Sequence, residues 1–153
     1  MTVRFDLETA IAVPPAVAFT ASLDIDAHLA SMTASGEEAV AGKTSGIIGL
    51  GETVTWKAKH FGIMWKMTSK ITELDAPHSF VDEQLRGPFK MFRHEHLFEP
   101  HHGGTLMRDH IVFDAPLGPL GDIAERLVLR NYLPKLIGER NDYLRTELER
   151  PAT

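Results

Sequence analysis

Residues 53–114 read TVTWKAKHFGIMWKMTSKITELDAPHSFVDEQLRGPFKMFRHEHLFEPHHGGTLMRDHIVFD, and this stretch decides the fold. Its period is largely two, the signature of strands with one face buried and one solvated. The breaks are short: Gly62, then Asp75-Ala76-Pro77, then Gly87-Pro88, then His101-His102-Gly103-Gly104. They divide the stretch into strands over 53–61, 63–74, 78–85, 89–98 and 105–114. Connections of this length join antiparallel neighbours, because a parallel crossover needs a dozen residues or more. The segment is a meander.

Working outward, residues 2–13 form one more strand, with Val3, Phe5 and Leu7 alternating against Arg4, Asp6 and Glu8. Pro14 and Pro15 end it and suit the first turn of a helix over 16–23. Asp24 or Asp26 caps a second short helix running to Met32. Residues 33–46, TASGEEAVAGKTSG, are small, polar and Gly-containing and read mostly as loop. Residues 116–121 break the sheet. A helix then runs to about residue 149, with Leu133, Leu136, Ile137, Leu144 and Leu148 on its apolar side. Pro134 predicts a kink or break near residues 130–133.

The whole is α+β: a strand, two small helices, an antiparallel meander and a closing helix laid across a curved sheet. The 153 residues suit one domain, 1–153. Hydrophobic residues at 43% and charged residues at 24% argue against long disorder. Cysteine is absent, which excludes disulfides, thiolate metal sites and cysteine nucleophiles. The net charge of −5 disfavours a nucleic-acid partner, so the lysines at 57, 59, 66 and 70 read as a solvated sheet face. The opening MTVRFDLETAIAV alternates and has no signal-peptide pattern, and no apolar run is long enough to insert stably in a membrane. A cytoplasmic monomer or weak homodimer is expected.

The order of elements, with VTWKAKHFG, FVDEQLRGPFKMFRHEHLFEP and GGTLMRDHIVFDAPLGPLG, resembles the START-like helix-grip superfamily. It is most similar to small bacterial ligand-binding SRPBCC proteins of the polyketide-cyclase-like and cell-division-inhibitor-like kinds. The resemblance covers about residues 3–148. It implies a curved antiparallel sheet wrapped around a long C-terminal helix, with a cavity between them for a small hydrophobic molecule. It implies no cofactor.

Charges phase each strand. With Lys57, Lys59, Lys66 and Lys70 outward, Trp56, Ala58, His60, Trp65 and Met67 face inward, Trp56 opposite Met67 and Ala58 opposite Trp65. In the later strands Phe92, His94, His96 and Phe98 face inward, with Met107, Asp109, Ile111 and Phe113. A turn closing between Phe98 and Thr105 sets His96 opposite Met107 and His94 opposite Asp109. Asp82 and Glu83 point to opposite faces, so one carboxylate is interior in either phase. Trp56, Trp65, Met67, Phe98, Met107, Ile111 and Phe113 are the expected cavity walls, and His60, His94, His96 and Asp109 the groups that orient a ligand. These same side chains could instead fill a solid core.

A metal site on His94 and His96 would need further ligands, and His60 and Asp109 are the interior candidates; neither a zinc-helix motif nor a cysteine supports it, and none is expected. His94 with Asp109 could act as a general-base pair in a cyclase or dehydratase. A closed cavity with a partner-recruiting outer face is the third reading. The glycines at 46, 49 and 51 precede a strand instead of opening a helix, so they make no phosphate loop.

Overall fold

In the computed structural model, which describes residues 2–115 and 129–151, period-two segments become the strands of one sheet. β1 (Thr2–Ile11) leads into α1 (Pro15–Ser22) and α2 (Ile25–Ser31). Then come β2 (Glu38–Gly42), β3 (Thr53–His60), β4 (Ile63–Asp75), β5 (Ser79–Arg86), β6 (Met91–His101) and β7 (Gly104–Asp114), and finally α3 (Arg130–Leu148). The seven strands lie in the order β1-β7-β6-β5-β4-β3-β2, every pair antiparallel. The sheet is therefore the meander with β1 added to its far edge. Among the described residues no helix is long and apolar enough to cross a membrane.

Local chemistry accounts for the helix starts. Pro14 precedes α1, which has Pro15 in its first turn. Asp24 caps α2, its Oδ1 accepting from the backbone N–H of Asp26 at 2.9 Å and of Ala27 at 3.3 Å. Pro134 lies in the second turn of α3, and Arg130–Leu148 is unbroken around it. The predicted interruption at 130–133 thus falls where the described helix begins, and residues 116–128, including the expected sheet-breaking turn, lie outside the described residues.

Two expectations need correction. The loop read over 33–46 contains a strand, β2, paired with β3 through Ala39↔Trp56 and Gly42↔Val54. An edge strand of small residues buries no face, so it leaves no alternation to read. Gly42 has φ 72°, and a Cβ there would stand 2.3 Å from the carbonyl oxygen of Thr53, so only glycine fits. The second correction is register. The β6–β7 hairpin turns at His102 and Gly103, with φ 48° and 79°, which pairs His101 with Gly104. A two-residue turn with both φ positive matches strand twist and lets the strands run on to its edge. In consequence His96 faces Asp109 and His94 faces Ile111, two positions from the expected alignment. A shift of two keeps every side chain on its predicted face. The β3–β4 register is as expected, with Trp56↔Met67 and Ala58↔Trp65.

Two apolar clusters hold the fold. One gathers Phe19, Phe80, Phe98, Met107, Ile11 and Ile71 beneath the paired helices. The other gathers Val3, Phe92, Ile111, Phe113, Leu133 and Ile137 where α3 crosses the sheet. Residues of both face a space between them.

Candidate functional site

That space is a cavity of about 260 Å³. Strands β3 and β4 bring Val54, Trp56, Ala58, Trp65, Met67 and Ile71 to it, and α3 brings Leu133, Leu136 and Ile137. Phe80 and Phe92 line it from β5 and β6. The indole N–H of Trp65 donates to the carbonyl of His60 at 3.1 Å, so this indole presents its carbon rings to the cavity with its polar edge satisfied.

Besides Ser22, Asp24 and Ser69, the polar groups on the wall gather in two places. One is the interior cluster Asp82, His94, His96 and Arg140. Asp109 stands behind it, 0% exposed. Its Oδ1 lies 2.6 Å from His94 Nε2, and its Oδ2 accepts from Asn141 Nδ2 at 2.7 Å. Arg140 approaches the same carboxylate at 3.7 Å and donates to Asn141 Oδ1 at 3.3 Å. His96 Nε2 is 2.7 Å from Asp82 Oδ2. The rings of Phe80, His96 and His94 form one stack, with centroid spacings of 4.0 and 3.7 Å. Burial, reinforced by the nearby His94, lowers the pKa of His96 to about 4 against the pull of Asp82. Burial also pushes the Asp109 carboxyl up, but the hydrogen bond from His94 and the electrostatic pull of His94, His96 and Arg140 outweigh it and hold the group far below the usual carboxylate range. The same balance, with His96 as hydrogen-bond partner, holds Asp82 below its ordinary value.

The second polar place is near Phe61, an exposed side chain that also lines the cavity. His60 Nδ1 meets the hydroxyl of Tyr132 at 2.5 Å, and His28 Nε2 meets Glu37 Oε1 at 2.6 Å. Burial lowers the pKa of His60 and raises that of Tyr132.

Of the predicted wall residues, Trp56, Trp65 and Met67 line the cavity, as do His60, His94 and His96. Phe98, Met107, Ile111 and Phe113 do not. Phe98 packs edge-on against Phe19 of α1 at 5.4 Å, and Phe113 is covered by Phe5 and Phe89, so both belong to solid core. Met107 and Ile111, 0% and 1% exposed, lie in the same layer. Asp109 points inward as expected, but it touches His94 and Asn141 instead of the open space. Sequence reasoning missed Phe80, Arg140, Asn141 and Tyr132. A signal for Arg140 and Asn141 was present: they fill the gap between Ile137 and Leu144 on the buried side of α3.

Among the described residues, Asp82, His94 and His96 bring potential metal-ligand atoms within 4.8 Å of one another. The two imidazoles are stacked at 20°, so their lone pairs run nearly parallel instead of converging on one point. The Nε2 of each is already held by a carboxylate, and Arg140 places a permanent cation on the same wall. The trio works as a hydrogen-bonded network. In the tautomer whose Nε2–H donates to Asp109, His94 keeps Nδ1 as an acceptor, the arrangement of an oriented general base.

No curated protein matches the chain. Solved structures with the same fold include the Zhui aromatase/cyclase from Streptomyces sp. R1128 (TM-score 0.79, 14% identity, covering 98% of this chain and 95% of that one). Others are TTHA0849 from Thermus thermophilus (0.74, 16%, 95% and 99%) and major latex-like protein 151 from Panax ginseng (0.71, 14%, 97% and 99%). At such identities these likenesses speak for the helix-grip fold alone. The family model described as polyketide cyclase / dehydrase and lipid transport matches residues 2–149, so the chain belongs to that family.

Proposed function

We propose that the protein binds a small, largely hydrophobic molecule between the sheet and α3, with an apolar body against Trp56, Trp65 and Met67 and a polar end toward His94 and Arg140. The cavity carries this reading: about 260 Å³ walled by aromatic and aliphatic side chains, with charged groups confined to defined places. Its size is slightly below the usual range for ligand pockets, about 300–1,000 Å³, which favours a compact guest. A lipid, a quinone or a polyketide-like aromatic has the required chemistry, and the family's description names both lipid transport and polyketide cyclisation.

Native mass spectrometry of the purified protein, followed by tryptophan-fluorescence titration with such molecules, tests the reading. A co-purifying hydrophobic molecule, or quenching that Trp65→Ala weakens by about tenfold or more, supports it. An empty protein with an unresponsive emission across the panel overturns it.

The contact between His94 and Asp109 favours a second reading, acid–base catalysis by a cyclase or dehydratase. In that case His94→Gln abolishes turnover while leaving affinity nearly intact, and the rate follows a bell-shaped pH profile. A pure binder shows the opposite ranking, with Trp65→Ala more damaging than His94→Gln.

A further inference from the structure

The β3–β4 hairpin ends in Phe61, Gly62, Ile63 and Met64, and β4 finds its first β5 partner only at Thr68. The tip therefore projects past the neighbouring strand. Phe61, Ile63 and Met64 are 56%, 57% and 55% exposed, three large apolar side chains within four residues. Phe61 has φ 54° and Gly62 φ 73°. Asparagine or glycine takes the first of these positions readily, whereas an aromatic residue is strained there. The strained backbone keeps an apolar ring at the surface, leaning on Tyr132 at 4.5 Å.

The outer face of the same hairpin is basic. Lys57 is directly opposite Lys66, and Lys59 is opposite Met64. Glu38 on β2 is the register partner of Lys57, yet among the described residues none of these three lysines forms an ion pair within 4.0 Å. Lys135 of α3 adds another positive charge beside Phe61, with Glu139 as the acidic neighbour. Like charges placed directly across a strand pair repel, so the arrangement lowers its energy when an anion arrives. It does so in a chain whose net charge is −5.

We propose that this hairpin tip docks the protein on an anionic lipid bilayer. Phe61, Ile63 and Met64 enter the interface, and Lys57, Lys59 and Lys66 meet the lipid phosphates. Two observations select a bilayer over another occupant. The apolar tip adjoins a hairpin face that carries Lys57, Lys59 and Lys66, which complements an acidic headgroup layer above acyl chains. Phe61, itself exposed, and Trp65 also line the cavity, so the docked tip sets part of the cavity wall against the membrane. An apolar guest could then pass between the two without crossing bulk water. Docking needs no guest, so its test is separate from that of ligand binding.

The test is co-sedimentation of the full chain, without added ligand, with phosphatidylcholine vesicles and with vesicles that also contain phosphatidylglycerol, at about 0.15 M salt. Binding to the anionic vesicles and release by high salt are expected. Lys59→Ala and Lys66→Ala should each weaken partitioning by about fivefold, and Met64→Ser should weaken it with circular dichroism unchanged. Phe61→Asn, which suits the turn's backbone, should fold and lose docking. Equal sedimentation of all variants, or no sedimentation with anionic vesicles, overturns the proposal. So does a dimer in solution that Met64→Ser dissolves, because a second copy would then cover the tip.

Discussion

His94 and Asp109 meet at 2.6 Å although neither is the other's register partner: His94 pairs with Ile111, and Asp109 with His96. The contact is diagonal across β6 and β7, within reach of long side chains on one sheet face. It makes Asp109 the centre of a buried network, with His94, Asn141 and Arg140 around one carboxylate.

Removing that carboxylate should be costly. Asp109→Ala leaves a buried imidazole, amide and guanidinium without their shared acceptor, and we expect a loss of about 3–5 kcal/mol in urea unfolding. Asp109→Asn keeps the volume and one acceptor oxygen and should cost less. A loss below about 1 kcal/mol for the alanine variant would mean that the network does not hold the fold.

Stability should fall as the solution is acidified from about pH 6.5 to pH 4. His96 has an ordinary pKa of 6.5 and a folded value of about 4, so in this window the unfolded chain takes up a proton that the folded chain refuses. The largest effect is about 3 kcal/mol, from roughly 1.4 kcal/mol for each pH unit. Asp109, whose carboxyl is held low, keeps its contribution through this window and loses it only as the pH drops further below its ordinary value of 3.8. Urea midpoints across pH 4–7 check this: His96→Gln should flatten the slope, and an unchanged slope would assign it to another group.

Filling the cavity should abolish ligand uptake with little effect on folding. Ala58 and Ser69, on adjacent strands, both line it and are 5% and 4% exposed. Ala58→Phe directs a ring into existing space, so we expect a stability change within about 1.5 kcal/mol. Fluorescence titration should show binding gone. Full binding by a folded Ala58→Phe protein would place the guest elsewhere.

Asp24→Ala should cost about 1 kcal/mol in thermal or urea unfolding, because two N–H groups at the start of α2 lose their acceptor. A neutral substitution would mean that water replaces the cap without loss.

The meander, both short helices and the closing helix can be read from the chain because each has a repeating cause: alternation for strands, three- and four-residue steps for the helix, proline or aspartate at the starts. Facing is legible too, since Lys57, Lys59, Lys66 and Lys70 fix it. Depth is not. Phe98 and Trp65 share the inward pattern, yet one is sealed beneath α1 and the other borders open space, a difference set by which helix lies above each strand. Asp109 emerges as the partner of His94, but through the wrong register, because the number of residues in the His102-Gly103 turn is not evident from the run of polar residues around it. Arg140 and Asn141 are hidden by the assumption that the buried side of a helix is apolar.

The placement of β1 bears on how the molecule is made. Among the described residues β1 has its sole sheet neighbour in β7, with Thr2 alongside Asp114. During synthesis the hairpins from β3 onward can close locally, whereas β1 waits, unpaired, until residues Gly104–Asp114 of β7 have left the ribosome. Such long-separation pairing slows folding toward about the millisecond-to-second range. The exposed edge of β7 is then where a nascent chain would be captured by a neighbour or by a chaperone.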